Sequence, residues 1–286
     1  MTRQFLSIHG LTMAVYESSG REGPTLFFLH GNSQDASAFS LQMEGEPGRR
    51  FRCVCMDLPG HGASGRALDP ERVYSVQGYV AVVREVLHLL DIQTPLLVGH
   101  SLGGHLLIQV AAGWPDLLGL LVFGTPPLQN PPRFDHAFLP HPTTKLFMQE
   151  HLTESDVKLW SEAQGLPEAA THRIAQAMRQ TDPKCRSSMA TAIARGELQD
   201  ECAILRNSGF PVALLLGDRD PFVNQDYCNN LSLHNLWRGG VHFISGCGHS
   251  PQSEHSAEFN ATLMAFIDDC VLNSKRTPQC RGTLGT

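Results

Sequence analysis

At 286 residues, 42% of them hydrophobic, the chain can bury a large core as one domain or as one domain with an insertion. Its formal charge of −6 comes with no run of Lys or Arg, which removes the electrostatic footprint that nucleic acid or an anionic membrane requires. Met1 to Gly10 lacks a basic start followed by an apolar segment, and no apolar stretch reaches the ~20 residues of a spanning helix. A soluble, cytoplasmic protein acting on a small neutral or amphiphilic molecule is expected, with its oligomeric state open.

In chain order, strand-like runs fall at Gln4 to Ile8, Leu11 to Tyr16, Thr25 to Leu29, Phe51 to Met56, Leu96 to Gly99, Gly119 to Phe123, Val212 to Leu216 and Val241 to Ile244. The central ones are almost wholly apolar, as strands covered on both faces should be. Val76, Tyr79, Val80, Val83, Leu87 and Leu90 recur at helical spacing, as do Phe259, Leu263, Phe266, Ile267 and Cys270. Strands alternating with helices predict an α/β chain: a mostly parallel eight-stranded sheet with helices on both faces. The alternation stops after Thr125, where a proline-rich stretch leads into helix-like segments without a strand. The reading is therefore a core domain of residues 1–125 and 209–274, a helical cap inserted at 126–208, and a polar tail at 275–286. Most of the cap's large apolar side chains, among them Phe134, Phe138, Leu146, Phe147, Met148, Leu152, Trp160, Met178, Met189 and Ile193, are expected to pack it onto the core. A minority should face a substrate.

Four segments carry chemistry. Gly99-His100-Ser101-Leu102-Gly103 lies between a strand and a helix, the setting in which G-x-S-x-G becomes a sharp turn with its serine hydroxyl thrust above the sheet. Gly246-Cys247-Gly248-His249-Ser250-Pro251 offers a histidine in a loop after the last strand. Between them, Gly217-Asp218-Arg219-Asp220-Pro221 ends an apolar strand. Either aspartate can orient an imidazole. Asp220, held before a proline, is preferred, while Asp218 beside Arg219 suits a turn carboxylate. His30-Gly31-Asn32-Ser33 follows an early strand, where a backbone N–H can join that of Leu102 in an oxyanion hole. Asp57, also at a strand end, reads as a turn residue holding Leu58 to Gly62. The eight cysteines form no CxxC pair and read as buried free thiols, Cys53 and Cys55 among them. His61, His100, His105 and His249 are scattered without ligand spacing, so no metal and no cofactor are expected.

With these segments in order, the chain resembles the α/β-hydrolase superfamily over nearly its whole length. His30 to Ser33, Asp57 to Gly62, Ser101 to His105, Gly124-Thr125-Pro126-Pro127 and Asp220-Pro221-Phe222-Val223 make it similar to the α/β-hydrolase type of N-acyl-homoserine lactonase and to related carboxylesterases. The resemblance implies Ser101 as nucleophile, His249 as base, Asp220 as acid, and Asn32 with Leu102 at the oxyanion hole. Gly31, His100, Trp160 and Phe222 are the expected substrate contacts, Trp160 through its indole N–H. Similar lactonases can carry Glu in place of Asp220 and Trp in place of His100. The implied activity is cleavage of a carboxylic ester or lactone through an acyl-enzyme. Rival readings are a carboxylesterase for short acyl esters, a carbon–carbon bond hydrolase of the same fold, and a non-catalytic ligand receptor.

Overall fold

The structure, a computed structural model, describes residues 1–114 and 116–276. Its eight strands are β1 (Thr2–Ile8), β2 (Leu11–Glu17), β3 (Glu22–Leu29), β4 (Phe51–Met56), β5 (Leu96–His100), β6 (Gly119–Phe123), β7 (Val212–Gly217) and β8 (His242–Ile244). They form one sheet in the order β1-β2-β4-β3-β5-β6-β7-β8. β1 and β2 join antiparallel and β2 meets β4 antiparallel, while the pairs from β4 to β8 are parallel. All eight runs expected from the sequence are strands, within a few residues at their ends.

The two-residue period of these strands sorts their side chains into two cores. Phe27, Leu29, Leu97, Val122 and Leu214 face the layer of α1 (Val76–Leu89) and α2 (Leu102–Ala111). Leu26, Phe28, Val98, Leu121 and Leu215 face the opposite layer, in which Phe259, Leu263, Phe266 and Ile267 cover the sheet. Because both faces are covered, every residue of β5, β6 and β7 is buried. Cys53 and Cys55 lie in the second core, and the seven described cysteines are all buried and unpaired. Burial pushes the Cys53 thiol up to about 12. No described helix is long and apolar enough to cross a membrane.

Strand order reverses between β3 and β5, since the chain turns toward β4 from one and toward β6 from the other. The crevice outside the carboxyl ends of strands at such a point is where open α/β sheets bind ligands. The loops leaving those two strands are the ones that carry Asn32 and Ser101.

Residues 124–211, between β6 and β7, hold four main helices: α3 (Glu154–Glu162), α4 (Glu168–Gln180), α5 (Lys184–Ala194) and α6 (Glu201–Arg206). Leu146, Val157, Trp160, Ile174 and Met178 give part of this segment a small core of its own. It is tied to the sheet by polar contacts. Tyr74 Oη donates to Asp182 Oδ2 at 2.9 Å, and Asp182 N–H donates to Gly60 O at 2.8 Å. Arg186, only 2% exposed, donates to Gln149 O and Glu150 O at 2.7 Å each and to Ser33 Oγ at 3.0 Å. Six of the ten apolar side chains named above border a cavity, Phe134, Phe138, Phe147, Trp160, Met189 and Ile193, and of these Phe134, Phe138, Met189 and Ile193 also pack with the core that holds α1 and α2. The proline-broken segments arch around a hollow instead of lying flat on the sheet.

The last helix, α7 (Ser256–Arg276), runs two residues into the expected polar tail. The remainder of that tail lies outside the described residues.

Replacing Arg186 with Met keeps the apolar stem but strands two half-buried carbonyls and the Ser33 hydroxyl, so urea unfolding should show a loss of about 2 kcal/mol. Arg179→Met breaks an ion pair whose partners are half or more exposed, and its midpoint should match the parent protein within error. Equal effects for the two variants would contradict the anchoring role of Arg186.

Candidate active site

Ser101 sits between the end of β5 and the first turn of α2 with φ 50° and ψ −119°, a conformation that costs a residue bearing a Cβ energy. Its neighbours hold it there. Ser101 N–H donates to Phe123 O at 2.9 Å, and Thr125 Oγ1 donates to Ser101 O at 3.0 Å. The flanking glycines answer to space: a Cβ on Gly99 would lie 2.6 Å from Gly104 Cα, and one on Gly103 would drive into the carbonyl oxygen of Leu29. Helix and strand can cross this closely only without side chains. The Ser101 side chain is half-buried and borders the cavity.

Asp220 follows β7 and is buried. Its Oδ1 accepts the N–H groups of Phe222 and Val223 at 2.8 and 3.2 Å, and its Oδ2 accepts His249 Nδ1–H at 2.8 Å. Burial alone would raise this carboxyl; the facing imidazole and the two N–H groups together outweigh it and hold the pKa below the ordinary carboxylate range. Asp218 is occupied elsewhere, accepting Gly246 N–H at 2.7 Å and Ser245 Oγ–H at 3.2 Å, so it is the turn carboxylate. Asp57 holds a turn as expected, accepting the N–H groups of Ala36 and Ala63 at 2.7 and 2.8 Å.

The His249 loop is held from several sides. Glu254 accepts Gly248 N–H at 2.7 Å and Ser250 N–H at 2.8 Å. Phe222 meets the His249 ring edge to face at 4.9 Å. Gly124, at φ 57°, leaves room for the ring, because a Cβ there would lie 2.9 Å from His249 Cε1. His249 and Ser101 border the same cavity. Among the described residues their side chains make no direct hydrogen bond, a separation common in free enzymes that tightens with substrate bound.

Asn32 and Leu102 border the same cavity as Ser101, and neither backbone N–H donates to a protein acceptor among the described residues. The Asn32 side chain is engaged away from it: Nδ2 donates to Phe147 O at 2.9 Å, and Oδ1 accepts from Ser33 Oγ at 3.0 Å. Gly31 N–H donates to Gln34 Oε1 at 3.1 Å. His100 borders the cavity but is fully buried, stacked on Phe123 at 4.8 Å, with Nδ1 on Gln34 Oε1 and Nε2 on His249 O, both at 3.0 Å. Burial foremost, then the nearby His249, lowers its pKa to about 3. His100 is a neutral strut between two loops. Trp160 borders the cavity beside Phe147, ring centres 5.0 Å apart, and its indole N–H makes no hydrogen bond among the described residues.

The cavity encloses about 860 Å³ including its open mouth. None of its described lining residues is Lys, Arg, Asp or Glu; the polar contributions come from Asn32, Gln34, Gln164, Ser101 and three histidines. Sequence reasoning did not single out Gln34, Gln164, Arg186 or Glu254, because contacts between loops far apart in the chain leave no local pattern.

Residues 26–262 match the model of the alpha/beta hydrolase family. The N-acyl homoserine lactonase AidH, solved with N-hexanoyl homoserine lactone, superposes with a TM-score of 0.89 at 34% identity, covering 94% of this chain and 98% of that one. A 2-hydroxy-6-oxononadienedioate/2-hydroxy-6-oxononatrienedioate hydrolase of Paraburkholderia phymatum is 24% identical over 273 residues, 88% of this chain and 90% of that one. An uncharacterized Mycobacterium tuberculosis protein is 34% identical over 121 residues; the match spans 42% of this chain and about a third, 34%, of that relative's length. With the family model matched across most of its length, the chain belongs to the alpha/beta hydrolase family.

Proposed function

We propose that this hydrolase cleaves neutral carboxylic esters through an acyl-enzyme, and that its preferred substrates are N-acyl-homoserine lactones. The observation that carries the reading is a cavity whose described lining holds no Lys, Arg, Asp or Glu and that is bordered by the Ser101 hydroxyl and an imidazole held on Asp220, beside two backbone N–H groups that have no protein acceptor among the described residues.

In this mechanism His249 Nε2 takes the proton of Ser101 as its Oγ attacks the ester carbonyl. Nδ1–H stays on Asp220, which fixes the tautomer and balances the imidazolium that forms. The N–H groups of Asn32 and Leu102 hold the oxyanion, aided by the N-terminus of α2. The imidazolium then protonates the leaving alkoxide, and water activated by the same ring releases the acid. A lactone's leaving hydroxyl stays tethered to the acyl group and can reclose the ring, so water must reach the acyl-enzyme promptly. Residues 126–208 act as a cap, with Trp160, Phe222 and Gly31 at the substrate and the indole N–H of Trp160 on its amide carbonyl.

The lactonase relative, similar over 94% of this chain, supports this substrate class. The dioate hydrolase relative points to a carbon–carbon bond hydrolase, but a dianionic substrate in a largely apolar cavity calls for a facing cation. The described lining supplies no Lys or Arg.

Mass spectrometry of N-hexanoyl homoserine lactone incubated with the protein should show a single product heavier by one water. Two products, or an untouched lactone beside rapid cleavage of p-nitrophenyl esters, would replace the lactonase reading with amide or simple ester cleavage. Ser101→Ala should lower kcat by several orders of magnitude. Asp220→Asn still accepts the Phe222 and Val223 N–H groups, so the fold should persist by circular dichroism, but its amide favours the wrong imidazole tautomer, and kcat should fall about 10⁴-fold. A loss below tenfold would remove Asp220 from the proposed triad.

A further inference from the structure

We infer that His105, backed by Glu201, is a specificity residue that takes a neutral oxygen substituent on the first few carbons of the acyl chain; this rests on the ester-cleavage reading above. His105 lies one helical turn beyond Ser101, its N–H donating to Ser101 O at 3.2 Å across a rise of roughly 6 Å along the helix axis, and both residues border the cavity. Its ring borders the cavity next to Phe138, at 6.3 Å.

Nδ1 is committed. It donates to Glu201 Oε2 at 2.9 Å and lies 3.1 Å from Oε1. Glu201 is fully buried and also accepts Leu128 N–H at 2.8 Å and a longer contact, 3.4 Å, from Gln109 Nε2. A carboxylate accepts only, so Nδ1 carries the hydrogen and Nε2 is the ring's remaining polar atom, with no hydrogen bond among the described residues. Nε2 thus has no protein partner among the described residues, on a ring that is 13% exposed beside Phe138 in a cavity also lined by Leu106, Leu128 and Leu198.

A plain alkyl chain lying there takes the place of water at Nε2 and leaves it without a partner, a loss that an apolar surrounding penalises. A hydroxyl satisfies it in either ring form, donating to a neutral ring or accepting from an imidazolium; an oxo group satisfies the imidazolium. An anionic substituent is disfavoured, because Glu201 already supplies the balancing negative charge. The acyl arm is therefore selective for a neutral oxygen, and the site distinguishes chains by that atom as well as by length.

The test is a matched series of hexanoyl, 3-hydroxyhexanoyl and 3-oxohexanoyl groups, each as homoserine lactone and as p-nitrophenyl ester. The better of the two oxygenated chains should exceed the plain chain in kcat/KM by about tenfold with either leaving group. The double variant His105→Leu/Glu201→Gln, whose amide still accepts Leu128 N–H, should bring that ratio to near one, and so should His105→Phe. A wild-type ratio near one overturns the inference even if neither variant folds, as does a ratio that survives both substitutions. Cleavage of the p-nitrophenyl esters alone removes the lactonase reading and leaves the ratio measurable. Should neither series turn over, the ester-cleavage reading fails, and calorimetric affinities of the same lactones for the Ser101→Ala variant decide the inference: equal affinities overturn it, a tenfold preference supports it.

Discussion

The close crossing of the first turn of α2 over the ends of β3 and β5 is the constraint on which the rest of the site depends. Gly103 lies against the carbonyl of Leu29, and Gly99 against Gly104. A methyl group at either position would lift the helix from the sheet and carry the Leu102 N–H away from that of Asn32. The positive φ at Ser101 is part of the same geometry, at a cost of order 1–3 kcal/mol. It persists because β5 and β6, buried on both faces, leave the turn no room to relax.

His100 links the two halves of the site. Its burial keeps it neutral, so it has one N–H for two acceptors, Gln34 Oε1 and His249 O. Turning the Gln34 amide would give the ring an acceptor role at Nδ1 but would take the acceptor from Gly31 N–H. The ring therefore commits its proton either to the loop that carries Asn32 or to the loop that carries His249. A Trp at this position would offer a single donor and could serve only one of them.

The sheet was legible because its signal is local: runs of buried apolar residues end in turn residues, and the alternation of faces follows from a period of two. The segments holding Ser101, Asp220 and His249 could be read from their positions after strands, and the preference for Asp220 over Asp218 rested on the proline that follows it. What escaped was the set of contacts that crosses between distant loops. Glu254 sits four residues beyond Ser250 and ties down two N–H groups of the His249 loop, yet in sequence it reads as one more helical carboxylate. The apolar residues of 126–208 were visible as apolar, but which of them face the hollow depends on how proline-broken segments arch, and no periodicity encodes that.

Arg186 shows why such contacts matter to the chemistry. Its guanidinium is buried and has no carboxylate partner among the described residues, binding instead two carbonyls of the 149–150 turn and the hydroxyl of Ser33. Burial lowers its pKa below the usual guanidinium value, and the fork of donors fixes the shape of that turn in a way a lysine's single point charge would not. From Ser33 the connection passes to Asn32 Oδ1, and from Asn32 Nδ2 to Phe147 O. The side chain of a proposed oxyanion residue thus bonds directly to Phe147 and, through Ser33 and Arg186, is linked to the carbonyls of Gln149 and Glu150, so the shape of that turn bears on the loop that carries Asn32.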